Sequence, residues 1–170
     1  AVMVVYPNYF GITSDLARIA EVCHAHGALL IVDEAHGSHM HFSDRLPPSA
    51  LSCGADIVVQ STHKPMPSLT QTSLLHLGER VDEAALSRAG ALFQTTSPSY
   101  LFMTSIENAV LYMDSEKGRA QLDALLDQVQ AFRRQVSALP DYEILCAEDM
   151  QNRLDLTRLL FRHKNCSGAK

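Results

Sequence analysis

Long hydrophobic runs are missing from this sequence. None of its apolar stretches is longer than a strand, within a chain of 170 residues. Nothing in it therefore reads as a membrane-spanning helix, and nothing reads as a signal peptide. Excess positive charge is missing too. A formal net charge of -5 leaves no footprint for nucleic acid or an anionic membrane surface. Repeats and low-complexity tracts are absent. Cysteine is sparse: Cys23, Cys53, Cys146 and Cys166 are widely spaced and form no metal-type pair. They read as reduced thiols of a cytoplasmic protein. An initiator methionine is lacking as well. The chain opens on Ala1 inside a strand-like run and closes on Phe161 to Lys170 without completing an element. A piece of a longer protein is expected. The composition is otherwise that of a globular protein long enough for a real core.

What is present is an alternation of strands and helices. Ala1 to Val5 is a continuous apolar run, as in a strand buried on both faces. Tyr6-Pro7-Asn8-Tyr9-Phe10-Gly11 is a turn-rich loop. Thr13 or Ser14 can cap a helix from about Asp15 to His26, with Leu16, Ile19, Ala20 and Cys23 on its apolar face and Gly27 just past its end. Ala28 to Val32 is a second strand. Pro47 to Leu51 opens a short helix, and Ala55 to Gln60 is a third strand. This order predicts an α/β fold with a mostly parallel sheet and flanking helices. Thr70 to Leu77 follows too closely for a helical crossover and is expected to pair antiparallel. Helices are predicted over Val81–Leu92, Leu101–Met113 and Glu116–Leu139, the last marked by Leu122, Leu125, Leu126, Val129, Phe132 and Val136. Tyr142 to Cys146 and Leu154 to Leu160 are candidate strands. The expected division is a partial large domain over 1–113, then a long helix and the beginning of a second domain over 114–170.

Two charged residues follow the second and third strands. Asp33 comes directly after Leu29-Leu30-Ile31-Val32, where an unpaired carboxylate is costly. Lys64 is one of only four lysines, and it follows Val58-Val59-Gln60-Ser61-Thr62-His63. A lysine there can form a Schiff base with pyridoxal phosphate once its amine is made nucleophilic. A carboxylate at Asp33 suits a protonated pyridine nitrogen. Ligands of parallel sheets bind at the carboxyl ends of strands. Adjacent strands bring Asp33 and Lys64 to one crevice although 31 positions separate them. Ala35 is small enough to lie under a flat ring. His36 can stack or hydrogen-bond, and Ser61 and His63 can bind a phosphate. The competing bland readings are a strand-end lysine reaching for solvent and a carboxylate that caps a helix or binds a loop.

Several motifs in fixed order resemble one family. They are Asp33-Glu34-Ala35-His36-Gly37, Leu46-Pro47-Pro48-Ser49-Ala50, Gly54-Ala55-Asp56, Ser61-Thr62-His63-Lys64 and Thr70-Gln71-Thr72-Ser73. Together they look like the group-I ornithine/lysine/arginine decarboxylases, pyridoxal-phosphate enzymes of the aspartate-aminotransferase fold. The likeness runs from Tyr6 to about Ala109, and more weakly to Asp155-Leu156-Thr157-Arg158. It implies that Lys64 holds the cofactor, that Asp33 pairs with the pyridine nitrogen, and that Ser61 and His63 serve the phosphate side. Ala35 and His36 complete the implied cofactor contacts, and Lys64, Asp33 and His63 the catalytic set. Thr95 to Tyr100 matches a loop that lies near the dimer interface in the family. The implied reaction of the complete protein is α-decarboxylation of arginine, lysine or ornithine, with CO2 and a diamine or agmatine as products. The proton donor at Cα is left open between Lys64, His63 and a residue outside the chain. A homodimer or higher oligomer is implied.

The chain departs from the pattern in places. Pro67 and Ser68 replace small residues after the lysine, Pro65 stiffens the same loop, and Ser105-Ile106-Glu107-Asn108-Ala109 replaces Ser-Leu-Asp-Ala-Ala. The prolines fix φ and remove donors, so a distorted loop is expected there. The family's phosphate-cradling turn and ring-stacking histidine are expected before Ala1. The chain alone is therefore expected to be inactive.

Rival readings attach to the same residues. Another pyridoxal-phosphate enzyme, such as an aminotransferase, would share the site, and a truncated copy could serve only as an interaction partner. Asp33-Glu34-Ala35-His36 also matches the acidic motif of a helicase, although no G-x-x-x-x-G-K-[ST] precedes it. His36, His39 and His41 have a spacing that permits a metal cluster, with Cys53 as a guessed fourth ligand. The favoured reading there is no metal, with two solvated histidines and one cofactor contact.

Overall fold

The computed structural model describes residues 1–151 and 153–166. The closing residues 167–170 lie outside the described residues. Four strands form one sheet in the order β1 (Val2–Val5), β2 (Leu30–Asp33), β3 (Ile57–Ser61) and β4 (Ser73–Leu77). The first three are parallel and β4 is antiparallel to β3. Both follow from the connections, since β1 and β2 are joined through helix α1 (Leu16–Ala25) whereas only eleven residues separate β3 from β4.

The sheet has one covered and one open face. Leu30, Val32 and Val58 are wholly buried, and Leu16, Ala20 and Cys23 of α1 belong to the same core. Truncating any of the three strand residues to alanine would cost about 2–4 kcal/mol. The alternate residues Met3, Val5, Val59, Leu75 and Leu77 are exposed on the other face. β1 is thus not buried on both faces among the described residues. It is an edge strand, paired only with β2.

Helix α1 is capped by Asp15, whose carboxylate accepts from Arg18 N at 3.2 Å. Neither Thr13 nor Ser14 is the cap, since Asp15 directly precedes the first helical residue; the backbone N–H of Thr13 donates to Arg153 O at 2.9 Å. Gly27 follows the C-cap with φ +65°, as a left-handed helix stop requires. The short helix after Pro48 is a 3-10 turn, Ala50–Cys53. At the amino ends of the strands, buried Asp56 accepts from Leu30 N at 2.7 Å and bonds His24 Nε2 at 2.9 Å.

Three further helices follow: α2 (Glu83–Gly90), α3 (Tyr100–Asp114) and α4 (Glu116–Ser137). Leu122 and Leu126 of α4 join the core that contains Tyr6 and Leu30. Strand β5 (Tyr142–Ile144) pairs antiparallel with β6 (Phe161–His163). The stretch Leu154 to Leu160 is not a strand. Leu154 makes only an isolated bridge to Ile12. Asp155 then accepts from Thr157 N at 3.0 Å through its side chain and from Arg158 N at 3.1 Å through its carbonyl, so the chain turns. The four cysteines are unpaired.

Candidate active site

Parallel pairing sets the carboxyl ends of β1, β2 and β3 side by side. Val5, Asp33 and Val59 are opposite one another in register. Asp33 therefore projects on the open face, between two exposed valines. Its Oδ1 accepts from Ala35 N at 3.0 Å. Its Oδ2 has no protein hydrogen-bond partner among the described residues. Ala35 is held directly beside it, half-buried.

Glu34, the next residue, points the opposite way and is wholly buried. It accepts from Ala50 N at 2.8 Å, Ser49 Oγ at 3.1 Å and Gln60 Nε2 at 2.6 Å. Burial nevertheless pushes its pKa above the ordinary value, outweighing those three bonds. A carboxylate so enclosed is not free for a metal-bound water, which removes the helicase reading of Asp33-Glu34-Ala35-His36.

The loop after β3 reverses tightly. Thr62 is wholly buried and its hydroxyl meets that of Thr72 at 2.8 Å. Met66 N donates to Thr62 O at 3.1 Å, and Ser68 N to Met66 O at 2.8 Å. Leu69 N donates to Ser105 Oγ at 2.8 Å. The bonds of this turn come from Met66 N, Ser68 N and Leu69 N, so the absence of an N–H at Pro65 and Pro67 leaves it closed. With Thr62 and Met66 turned inward, Lys64 is exposed. It pairs with no carboxylate among the described residues. The strand-end burial expected from the preceding apolar run ends at Thr62. Ser61 accepts a bond from Ser38 Oγ through its carbonyl at 3.0 Å, leaving its hydroxyl without a protein partner among the described residues. His63 donates from Nδ1 to Thr72 O at 2.7 Å, so Nε2 is its outward atom.

The three histidines of the spaced cluster diverge. His36 Nδ1 is 3.1 Å from Arg158 Nη2, and its ring meets Tyr9 edge-on at 5.5 Å. His39 is buried rather than solvated and reaches Asp155 Oδ1 at 3.2 Å. His41 is exposed and lies against Phe42. Among the described residues no group of three His, Cys, Asp or Glu side chains could hold a metal. Burial would raise the Asp155 pKa, but hydrogen bonds from His39 and Thr157 and the His39 charge prevail and hold it low. Burial, then Lys64, then Arg158 lower the pKa of His36, against Asp33 and Asp155. Those influences tie Asp33, His36, Lys64, Asp155 and Arg158 to one neighbourhood. A cavity of about 170 Å3 is lined by His39, Lys64, Thr157 and Arg158, with Met113 and Leu122 opposite.

Asp155 and Arg158 are the residues that motif reading left out of the site. The available signal was Asp155 lodged between leucines, where a carboxylate needs a partner. The segment is held from two sides. Gly11, at φ +86°, lets the Arg158 stem approach so closely that a Cβ there would lie 2.7 Å from Arg158 Cγ. Buried Arg133 of α4 donates to the carbonyls of Leu145, Leu156 and Arg158. The polar atoms left over also suit the cofactor implied by the resemblance: a carboxylate oxygen, a lysine amine, a hydroxyl and an imidazole nitrogen, each without a protein partner among the described residues.

A family model described as Orn/Lys/Arg decarboxylase, major domain, matches residues 1–154. The chain belongs to that family. It is 37% identical over 138 residues to an arginine decarboxylase of Halalkalibacterium halodurans, covering 81% of this chain and 28% of that protein. It is 44% identical over 108 residues to an arginine decarboxylase of Bacillus subtilis, covering 63% of this chain and 22% of that protein. The chain thus spans under a third of the length of these curated relatives. Among solved structures, the constitutive lysine decarboxylase of Escherichia coli superposes with a TM-score of 0.71 at 24% identity, covering 84% of this chain and 21% of that one. A cystathionine gamma lyase of Micromonospora echinospora shares the fold at a TM-score of 0.61 and 20% identity, covering 84% of this chain and 35% of that one.

Proposed function

We propose that the complete protein is a pyridoxal-phosphate-dependent α-decarboxylase of a basic amino acid: arginine, lysine or ornithine. The observation that carries this reading is the Asp33 carboxylate, with one oxygen unengaged, at the carboxyl edge of a parallel sheet that also presents Lys64. Family membership favours decarboxylation over transamination, and the curated relatives named as arginine and lysine decarboxylases point to a basic substrate.

In this reading Lys64 Nζ would hold the cofactor covalently until a substrate amine takes its place. Asp33 Oδ2 would accept a hydrogen bond from the protonated pyridine nitrogen and so keep the proton on that nitrogen. Ala35 is small enough to sit under the ring, and His36 would contact it. Ser61 would donate its hydroxyl on the phosphate side, where His63, held through Nδ1 on Thr72 O, would present Nε2. When bound, pyridoxal phosphate supplies the sink for the electron pair left at Cα as CO2 departs. The proton returned to Cα would come from Lys64, from His63 or from a residue outside this chain. We assign residues 1–113 to the cofactor-binding domain and 114–170 to the long helix and the start of the next domain, and we take the complete protein to be at least a dimer.

The test is CO2 release by the complete protein on each of the three amino acids, combined with borohydride reduction and peptide mapping. Turnover of at least one substrate and a cofactor-mass adduct at Lys64 are expected. An adduct elsewhere, or none with cofactor demonstrably bound, would refute the assignment.

A further inference from the structure

Arg158 approaches His36 in a way that dictates the state of the imidazole. A guanidinium has only donors. At 3.1 Å from Arg158 Nη2, His36 Nδ1 must present its lone pair. The ring proton then sits on Nε2, which has no protein hydrogen-bond partner among the described residues. The opposite tautomer, or the imidazolium, would set an N–H against the guanidinium.

The arginine is not a loose surface side chain. Its stem rests on Gly11, its carbonyl accepts from Arg133, and its Nε lies 3.8 Å from Asp155 Oδ2. Among the described residues both atoms of that last pair are buried without a hydrogen-bond partner, so the attraction between them is one of charge. Asp155 is in turn fixed by His39 at 3.2 Å and by the Thr157 hydroxyl at 2.8 Å. On the far side of the imidazole, Tyr9 meets the ring edge-on. The charged groups that act on His36 are Lys64 and Arg158, which are positive, and Asp33 and Asp155, which are negative.

We propose that Arg158 is a positioning residue that fixes His36 as a neutral imidazole with its proton on Nε2, beside Asp33 and Lys64. The stretch Asp155 to Arg158, which begins 91 positions beyond Lys64 in sequence, is then part of the site. His36 offers a ligand there an N–H donor, which suits an acceptor oxygen and not another donor. That last consequence rests on the proposed function. The state of the imidazole does not.

The experiment uses the complete protein, cofactor-free and labelled with 15N-histidine. The His36 resonances are assigned by their loss in His36→Gln. In the wild type near neutral pH, Nδ1 should show the unprotonated shift and Nε2 the protonated one. In Arg158→Gln the protonation midpoint of His36 should rise by about one pH unit, because a neighbouring positive charge is gone. Arg158→Lys, which keeps the charge and a donor, should restore a midpoint near the wild type. A His36 protonated on Nδ1 in the wild type would overturn the proposal. So would a midpoint unchanged in a folded Arg158→Gln. Should that variant not fold, the wild-type tautomer alone decides. Neither readout needs turnover, so failure of the decarboxylase reading, seen in the CO2 assay, is distinguishable from failure of this one.

Discussion

Replacing Asp33 by asparagine should separate the chemical role of this side chain from its structural one. The structural load is a single bond, from Ala35 N to Oδ1 at 3.0 Å. Asparagine can keep it with its amide oxygen. The amide nitrogen then occupies the place of Oδ2, the atom without a protein partner. The side chain is half-buried, so the fold should change in stability by about 1 kcal/mol or less. The site loses much more. A carboxylate against a protonated ring nitrogen is worth about 4 kcal/mol at 4 Å in a partly screened environment. In the variant an N–H donor faces the ring nitrogen, so the charge that keeps the nitrogen protonated disappears. A loss of 4 kcal/mol corresponds to roughly a thousandfold in rate. The assay is kcat of the complete Asp33→Asn protein, normalised to bound cofactor, with urea unfolding run in parallel. Cofactor should still attach through Lys64. A kcat within tenfold of the wild type at equal cofactor load would refute the reasoning. So would a large loss of stability, which would make Asp33 a structural residue.

Other expectations concern the scaffold. Glu34→Ala leaves Ser49, Ala50 N and Gln60 without their buried acceptor and should cost roughly 3 kcal/mol or more in urea unfolding. Because the folded pKa of Glu34 lies above its unfolded value near 4.5, the folded protein binds that proton more tightly. The associated stability is fully present below the unfolded value and is lost as pH rises through the folded one. Stability of the wild type relative to Glu34→Gln should therefore fall as pH rises from the unfolded value near 4.5 through the raised folded one. Arg133→Met strips the donor from three carbonyls. It should lower the thermal midpoint, costing about 3 kcal/mol, and weaken cofactor retention measured by absorbance after dialysis. Gly11→Ala places a Cβ against Arg158 at a positive φ and should likewise weaken cofactor retention, whereas Gly27→Ala, which meets no neighbouring atom, should affect only stability.

Much of the architecture was readable before any coordinates. The succession of strands and helices, the antiparallel fourth strand and the long helix followed from apolar periodicity and connection lengths, which are local properties. The boundaries that moved did so because of specific side chains. Asp15 took the cap because its carboxylate reaches Arg18 N, and Leu154 to Leu160 turned because Asp155 bonds its own following backbone. The double burial expected of β1 failed because alternation within a strand does not say whether a second layer covers it. Ala1 to Val5 is uniformly apolar, yet only one face of this sheet meets other described residues.

The sequence by itself determined that this chain is an α/β fold whose parallel strands share one carboxyl edge. It also placed Asp33 and Lys64 at that edge and gathered the ordered motifs of a decarboxylase family. These are consequences of residue type, order and spacing, which need no knowledge of distant contacts. Tertiary structure alone decided three further matters. Glu34 turns away from Asp33 because neighbouring strand positions face opposite sides of the sheet and Ser49, Ala50 and Gln60 wait on the inner one. Lys64 emerges because Thr62 and Met66 take the interior positions of its loop. Arg158 reaches His36 because Arg133 and Gly11 hold its backbone and stem in place, a contact across 122 positions that no local pattern encodes.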